Sequence, residues 1–484
     1  MTDRLDQTVV VPAAGVIGRR ALVASFGAGM IAMLSTSKIG AQTLGILSKL
    51  FTAYIYGYAP VAAFATERIQ TAVPDSTGVI GLAPVNQFAY ATQLADADFT
   101  TIIRPNADTI YTLAWLDLNA QPMVISLPEV LNRFYMMAML DAYTNEFESL
   151  GTRTTGSGPG DYLIAGPGWS GTPPPGITQV ILAPTPTVWV IGRTLVRGPN
   201  DLAAAVGVTV PVNGTGGYRL IPLEQYMGPG TVFIPPVNVP VINPEPQFVP
   251  PTGKPATEAV GFSQPIFFQA MQNVIAANPP PSDQVLLVAA FQEVFANADL
   301  LTAQIVDAAL AAMNAALLGV GKTVNGWQYL LGLGTYGDNF ALRAGAALIG
   351  LGANNSDDAV YALCDSDTTG VPLDGLQGNY QIRFAAGQQP PVNPQGFWSI
   401  TVYDQNGLLI HNALNRYLVG SETSLMPDAD GSVTIQLQNT EPPPPTPQAN
   451  WLPVPAGPFN LTLRMYWPDL TAFNTYVIPP VAKL

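Results

Sequence analysis

Prolines and glycines punctuate this chain densely, 46 and 45 of them in 484 residues, and leave few stretches free to run as long helices. Proline removes a backbone donor and fixes φ; glycine supplies the turns that close short strands. Between the breaks lie "TIYTLAWLDL", "MVISLP", "FYMMAML", "DYLIAG", "VILAP" and "TVWVIGRTLV". These runs are β-branched, aromatic or aliphatic, and clusters such as "GSGPGD" and "SGTPPPG" separate them. The pattern predicts an antiparallel sandwich. In the first run both faces are largely apolar, which places that strand between two packed layers.

Upstream, the apolar spacing predicts a helix from about Thr43, interrupted near Pro60. Proline is dense between Val232 and Pro255, an extended connector. The stretch from Ser282 to Gly321 has helical spacing, with Ser282 as a cap, a break at Asn297–Asp299, and Gly319 or Gly321 as the stop. A further helix starts near Asp338. From Tyr361 strands return. "FWSITVYDQNGLLI" puts Trp398, Ile400 and Val402 on one face and offers Asn406-Gly407 as a turn. "FNLTLRMYW" alternates Phe459, Leu461, Leu463, Met465 and Trp467 against Asn460, Thr462, Arg464 and Tyr466. A second sandwich follows.

Charge narrows the function classes. Only 11% of residues are charged and the net charge is −14, so nucleic acid is not an expected partner. The single cysteine, Cys364, allows no internal disulfide, and the single histidine, His411, allows no multi-histidine metal centre. Neither a metal nor a cofactor is expected. At the start of the chain Arg19 and Arg20 precede an apolar run, Ala21 to Leu34, too short to span a membrane. The pattern resembles a twin-arginine export signal with cleavage after Ala41, although Ile39 suits a cleavage motif poorly.

Longer strings carry a family resemblance. "RPNADTIYTLAWLDL", "LDAYTNEFESLGTRTTG", "YLIAGPGW" and "GRTLV" resemble the N-terminal half of a two-domain family of unknown function, numbered 1254. "FWSITVYDQNGLLIHNALNRYLVG", "ADGSVTIQLQN" and "NWLPVPAGPFNLTLRMYWP" resemble its C-terminal companion, numbered 1214. The resemblance implies an Ig-like β-sandwich, a helical linking segment and a jelly-roll β-sandwich, in a family of bacteria and giant viruses whose members are often exported. Tyr90 stands where many relatives carry histidine, and "EPPPPTP" at Glu441 to Pro447 is an extra insert. The expected organisation is an export signal or N-terminal extension over 1–41, an N-terminal helix and Ig-like sandwich over 42–250, a helical segment over 251–350 and the jelly roll over 351–484.

Candidate sites centre on polar groups in apolar surroundings. Arg104, Asn106, Asp108, Tyr111, Asp141, Tyr143, Asn145, Glu146 and Arg153 are the candidate pocket. Carboxylates flanking a cleft suit acid–base work on a glycoside, and Tyr and Asn beside them suit sugar hydroxyls. The competing reading is structural, with Arg104 or Arg153 pairing with Asp108 or Asp141. "GVGKT" lacks the first glycine of a phosphate loop, Ala316 standing there, and follows a helix instead of a strand. "DSD" at Asp365 and "DADG" at Asp428 read as turns. The resulting expectation is an exported or surface-located structural or binding protein of an envelope or virion, homo-oligomeric, with polysaccharide as candidate ligand. The alternative is a hydrolase or lyase acting on a carbohydrate-like substrate through the carboxylates.

Overall fold

The computed structural model describes residues 41–76, 81–100, 103–241 and 261–484. The export segment expected over 1–41 lies outside them except for Ala41, and the Pro-dense connector is described only to Val241.

The N-terminal strands are β1 (Ala89–Tyr90), β2 (Thr109–Asp117), β3 (Met123–Leu127), β4 (Tyr135–Asp141), β5 (Glu146–Gly151), β6 (Gly160–Ala165), β7 (Gln179–Leu182), β8 (Thr187–Leu195) and β9 (Arg219–Pro222). Sheet I has the order β1-β2-β8-β4-β5 and sheet II the order β7-β6-β3-β9. They pack face to face through Leu116, Ile125, Met137, Met139, Ile164 and Val190. The C-terminal strands are β10 (Lys322–Val324), β11 (Trp327–Leu330), β12 (Ala359–Cys364), β13 (Tyr380–Phe384), β14 (Val392–Tyr403), β15 (Leu418–Gly420), β16 (Val433–Gln438), β17 (Trp451–Pro453), β18 (Asn460–Pro468) and β19 (Ala482–Lys483). Sheet III has the order β10-β11-β12-β18-β14-β15 and sheet IV the order β17-β16-β13-β19. The chain is mainly β, two sandwiches with helices between them in sequence.

The two sandwiches meet through sheets I and III. Period-two alternation makes this possible. On β14, Trp398, Ile400 and Val402 point into the C-terminal core, while Phe397 and Tyr403 belong to the cluster shared with sheet I. On β8, Val188 and Val190 face sheet II, while Trp189 and Ile191 face sheet III. Trp189 stacks on its cross-strand partner Trp115 with ring centroids 4.8 Å apart. That burial on both sides explains the apolar faces of β2.

The helical layer is built around α1 (Ala41–Gln70). Its partners include α3 (Ile266–Ala277), which follows α2 (Leu202–Thr209), and then α4 (Val285–Ala289), α5 (Gln292–Phe295), α6 (Ala303–Val320) and α7 (Phe340–Gly350). Three expectations are corrected here. Helix α1 is not interrupted: Pro60 lies inside it. Proline at that position leaves the Tyr56 carbonyl without its helical donor, and Arg343 Nη2 on α7 donates to it at 2.8 Å. Ser282 caps nothing; the break at Asn297–Asp299 is real, and Thr302 caps α6 through the Ile305 amide. Strands also return earlier than Tyr361, because β10 and β11 form a hairpin in sheet III ahead of α7.

Candidate functional site

Sheets I and III do not close completely. Between them lies a pocket of about 100 Å³. Leu113, Ile191, Leu333 and Ile349 form an apolar part, and Arg104, Arg193 and Arg464 bring three guanidiniums to the polar part. Gly352 closes one wall at φ 82°; a Cβ there would fall 2.6 Å from Ile191 Cδ1.

Each arginine is placed by its strand or by a strained turn. Arg104 precedes Pro105 with φ 51°, a left-handed conformation that costs a side chain of this size of order 1 kcal/mol. Its amide donates to the Gly407 carbonyl at 2.7 Å, and its own carbonyl accepts from Arg464 Nη2 at 2.7 Å. Arg104 Nη1 donates to Asn460 Oδ1 at 2.7 Å and to Thr462 Oγ1 at 2.9 Å. Arg464 extends from β18 toward sheet I, and the Tyr403 ring centroid lies 5.6 Å from its Cζ and 5.6 Å from that of Arg104. Arg193, on β8, lies 5.5 Å over the Tyr111 ring and donates to Asn354 Oδ1 at 3.1 Å; its Nε is buried without an acceptor.

None of these three arginines forms an ion pair with a carboxylate among the described residues. Arg464 is buried and the other two are half-buried. Burial holds the Arg104 guanidinium below its ordinary range; burial acts the same way on Arg193 and Arg464, but the surrounding phenols, Tyr466 and Tyr403 foremost, outweigh it and hold both above theirs. Cations gathered out of water without counter-ions repel one another and lose hydration. A small anion entering the pocket would offset both costs, less the hydration it gives up itself.

Asn106 organises the neighbouring hydroxyls. Its amide donates to Tyr111 Oη at 3.0 Å, its Nδ2 to Tyr466 Oη at 2.8 Å, and its Oδ1 accepts from the Asp108 amide. Asp108 itself is buried on the other side of this wall, and burial raises its carboxyl above the ordinary range.

The remaining expected site residues form a separate network. Asp141 Oδ1 accepts from the amides of Tyr143 and Asn145 at 2.9 and 2.8 Å, closing the β4–β5 turn. Tyr143 Oη donates to the Asn278 carbonyl. Glu146 accepts from the Asn355 amide and side chain. Arg153 grips Asp358 through Nε at 2.6 Å and Nη2 at 2.9 Å. Burial first, and then the adjacent Asp358, push Glu146 well above the carboxylate range. The expected pairing of Arg104 or Arg153 with Asp108 or Asp141 is therefore corrected: Arg104 bonds to neutral groups and Arg153 to Asp358. Arg193 and Arg464 were not among the sequence candidates. The available signal was a single charged residue, an arginine, in each of two strands.

His411 is exposed, with Nε2 3.3 Å from Asp98 Oδ1. Cys364 is buried, which pushes its thiol up to about 12. The "GKT" segment leads into edge strand β10 after a helix C-terminus, the reverse of a phosphate loop.

Residues 85–210 match the family model DUF1254, described as a protein of unknown function. Residues 358–470 match DUF1214, described in the same words. The chain carries this pair of domains. The arginine pocket lies between them: Arg104 and Arg193 come from the DUF1254 segment, and Arg464 from the DUF1214 segment. A comparison with curated proteins gives no match. The crystal structure of the VPA0106 protein from Vibrio parahaemolyticus is similar over 91% of this chain and 100% of that one, with a TM-score of 0.61 at 22% identity, a likeness of fold. An uncharacterised protein from Burkholderia cenocepacia covers 96% of each chain at a TM-score of 0.44 and 13% identity; nothing rests on it.

Proposed function

We propose that the chain is a binding protein whose ligand is a small organic anion with an apolar body, held between the two sandwiches. The observation that carries this reading is the convergence of Arg104, Arg193 and Arg464 without a carboxylate partner, beside an apolar lining. Guanidiniums bind carboxylate, sulfonate or phosphate groups through paired hydrogen bonds, and Leu113, Ile191 and Leu333 suit a hydrocarbon or aromatic body. The hydrolase or lyase alternative has less support. Asp141 and Glu146 are committed to a turn and a loop, and neither lines the arginine pocket. An exported location stays a proposal that rests on Arg19, Arg20 and the apolar run after them.

Thermal melts and calorimetry with benzoate, hexanoate and benzamide test the reading. Benzoate or hexanoate should raise the melting temperature, by about 2.7 kcal/mol of stabilisation at a hundredfold excess over Kd, and benzamide should not. Equal effects of benzoate and benzamide, or none from either acid, would overturn it.

A further inference from the structure

Leu351, Gly352 and Ala353 form one wall of the arginine pocket. The chain then turns from Asn354 to Asp358, and this turn ties sheet I to the start of β12. Asn354 Oδ1 accepts from Arg193 Nη1 at 3.1 Å. The Asn355 amide and Nδ2 donate to Glu146 on β5 at 2.7 and 3.0 Å, and Asn355 Oδ1 accepts from the Asp358 amide at 3.1 Å. Glu146 and Asp358 therefore meet at one turn, with their carboxyl groups hydrogen-bonded to each other. That bond requires a proton, because two carboxylates offer only acceptors. Both groups are buried, and Arg153 grips Asp358 through Nε and Nη2. Asp358 is thus the ionised member, and Glu146 carries the proton. Burial, then Asp358, pushes Glu146 well above the carboxylate range, whereas Arg153 outweighs burial and holds Asp358 below it.

We propose that anion binding at the arginine pocket is proton-linked: protonated Glu146 clamps the Asn354–Asp358 turn in the binding form, and ionisation of Glu146 lowers the affinity for the anion. This rests on the anion-binding reading above. Two effects act in the same direction. Ionised Glu146 faces Asp358 with no proton between them, which loosens the turn that carries Asn354 and adjoins the pocket wall. It also places a negative charge near Arg193, in competition with the ligand for that cation. The charged and titratable groups around Glu146 are Glu148 on its own strand, Arg153, Asp357 and Asp358, Arg193 on β8, Tyr336, and Tyr361 on β12. A ligand that favours protonated Glu146 is taken up together with a proton. Affinity is therefore full below the Glu146 titration and falls as pH rises through it.

The test is calorimetry of the full chain with benzoate between about pH 5.5 and 9.5, where a simple carboxylic acid stays ionised. Affinity should fall by at least about fivefold across the range, the lower end of ordinary coupling between two sites. Titrations in two buffers of different ionisation enthalpy should show proton uptake with benzoate where the affinity falls. Glu146→Gln keeps an acceptor for Asn355 and a donor for Asp358, so it should bind benzoate and lose both effects. Asp358→Asn removes the neighbour that raises Glu146, so the fall should move to lower pH. Arg104 in the pocket and Asp108 behind it, both displaced by burial, are the competing sources of a pH dependence, and neither variant would move theirs. Benzoate binding that is independent of pH, or a pH dependence unchanged in either variant, overturns the proposal and leaves the anion site standing. No benzoate binding at any pH overturns both.

Discussion

Replacing Arg464 by methionine separates a binding arginine from a structural one. The guanidinium of Arg464 and that of Arg104 both lie 5.6 Å from the Tyr403 centroid, so they are no more than about 11 Å apart. At an effective dielectric near 20, two like charges at that limit repel by about 1.5 kcal/mol, and more if they lie closer. Methionine removes that repulsion and the desolvation cost of a buried cation, and retains most of the apolar stem. It also loses the bond from Nη2 to the Arg104 carbonyl at 2.7 Å and a longer one from Nη1 to Thr401 Oγ1 at 3.4 Å. A charge-assisted bond contributes about 1.5–3 kcal/mol. These effects largely offset, so Arg464→Met should change the unfolding free energy by no more than about 1–2 kcal/mol. Benzoate affinity should fall by about 10- to 150-fold, the same bond energy expressed as a binding ratio. Urea unfolding and calorimetry on one preparation measure both. A loss of more than about 3 kcal/mol in stability, with anion binding untouched, would refute the reasoning and make Arg464 a structural cation.

Arg153→Met should cost about 3 kcal/mol in urea unfolding, because it strands the buried Asp358 carboxylate; a change under about 1 kcal/mol would place that pair among weak surface bridges. Arg343→Met should destabilise by about 2–3 kcal/mol, and by less in a Pro60→Ala background, where the Tyr56 carbonyl regains a helical donor; additive losses would remove the link between the two residues. Burial, opposed by Arg68 and reinforced by Asp117, raises Glu67 to about 7. The folded chain therefore binds more protons than the unfolded chain between about pH 4.5 and 7, and stability from this group is present below that window and lost as pH rises through it. Melts from acid to neutral pH should show the decline, and Glu67→Gln should flatten it; an unchanged slope would assign the dependence to another group.

Much of the fold was legible because strand alternation is local. On β14 and on β18 as far as Tyr466 the two faces separate residue by residue, and the structure places those faces in two different cores; Trp467, expected on the Met465 face, has φ 48° and packs with the Tyr466 cluster instead. Asn325-Gly326 was equally legible as a hairpin turn, with φ of 53° and 80°, yet its strands are short and stand between helices, so the β10–β11 hairpin was missed. Pro60 misled for a different reason. What keeps α1 continuous there is Arg343, 287 residues further along, and no local pattern carries that contact.

The site was legible only in part for the same reason. Arg104, Asn106 and Tyr111 stand out in one short stretch, and the structure keeps them at one pocket. Arg193 and Arg464 complete the charge cluster from two distant strands, and only the packing of sheet I on sheet III brings them in. The turn residues Asp141 and Asn145 share the composition of a polar site, but the β4–β5 turn and its hydrogen bonds account for them.

Diffraction from crystals soaked in 4-bromobenzoate, collected at the bromine edge, tests the central claim most directly. The account predicts an anomalous peak within the apolar part of the pocket, near Leu113, Ile191 and Leu333, with the carboxylate on the guanidiniums of Arg104, Arg193 and Arg464. An empty pocket at saturating 4-bromobenzoate, or a bromine bound only elsewhere on the chain, would contradict it.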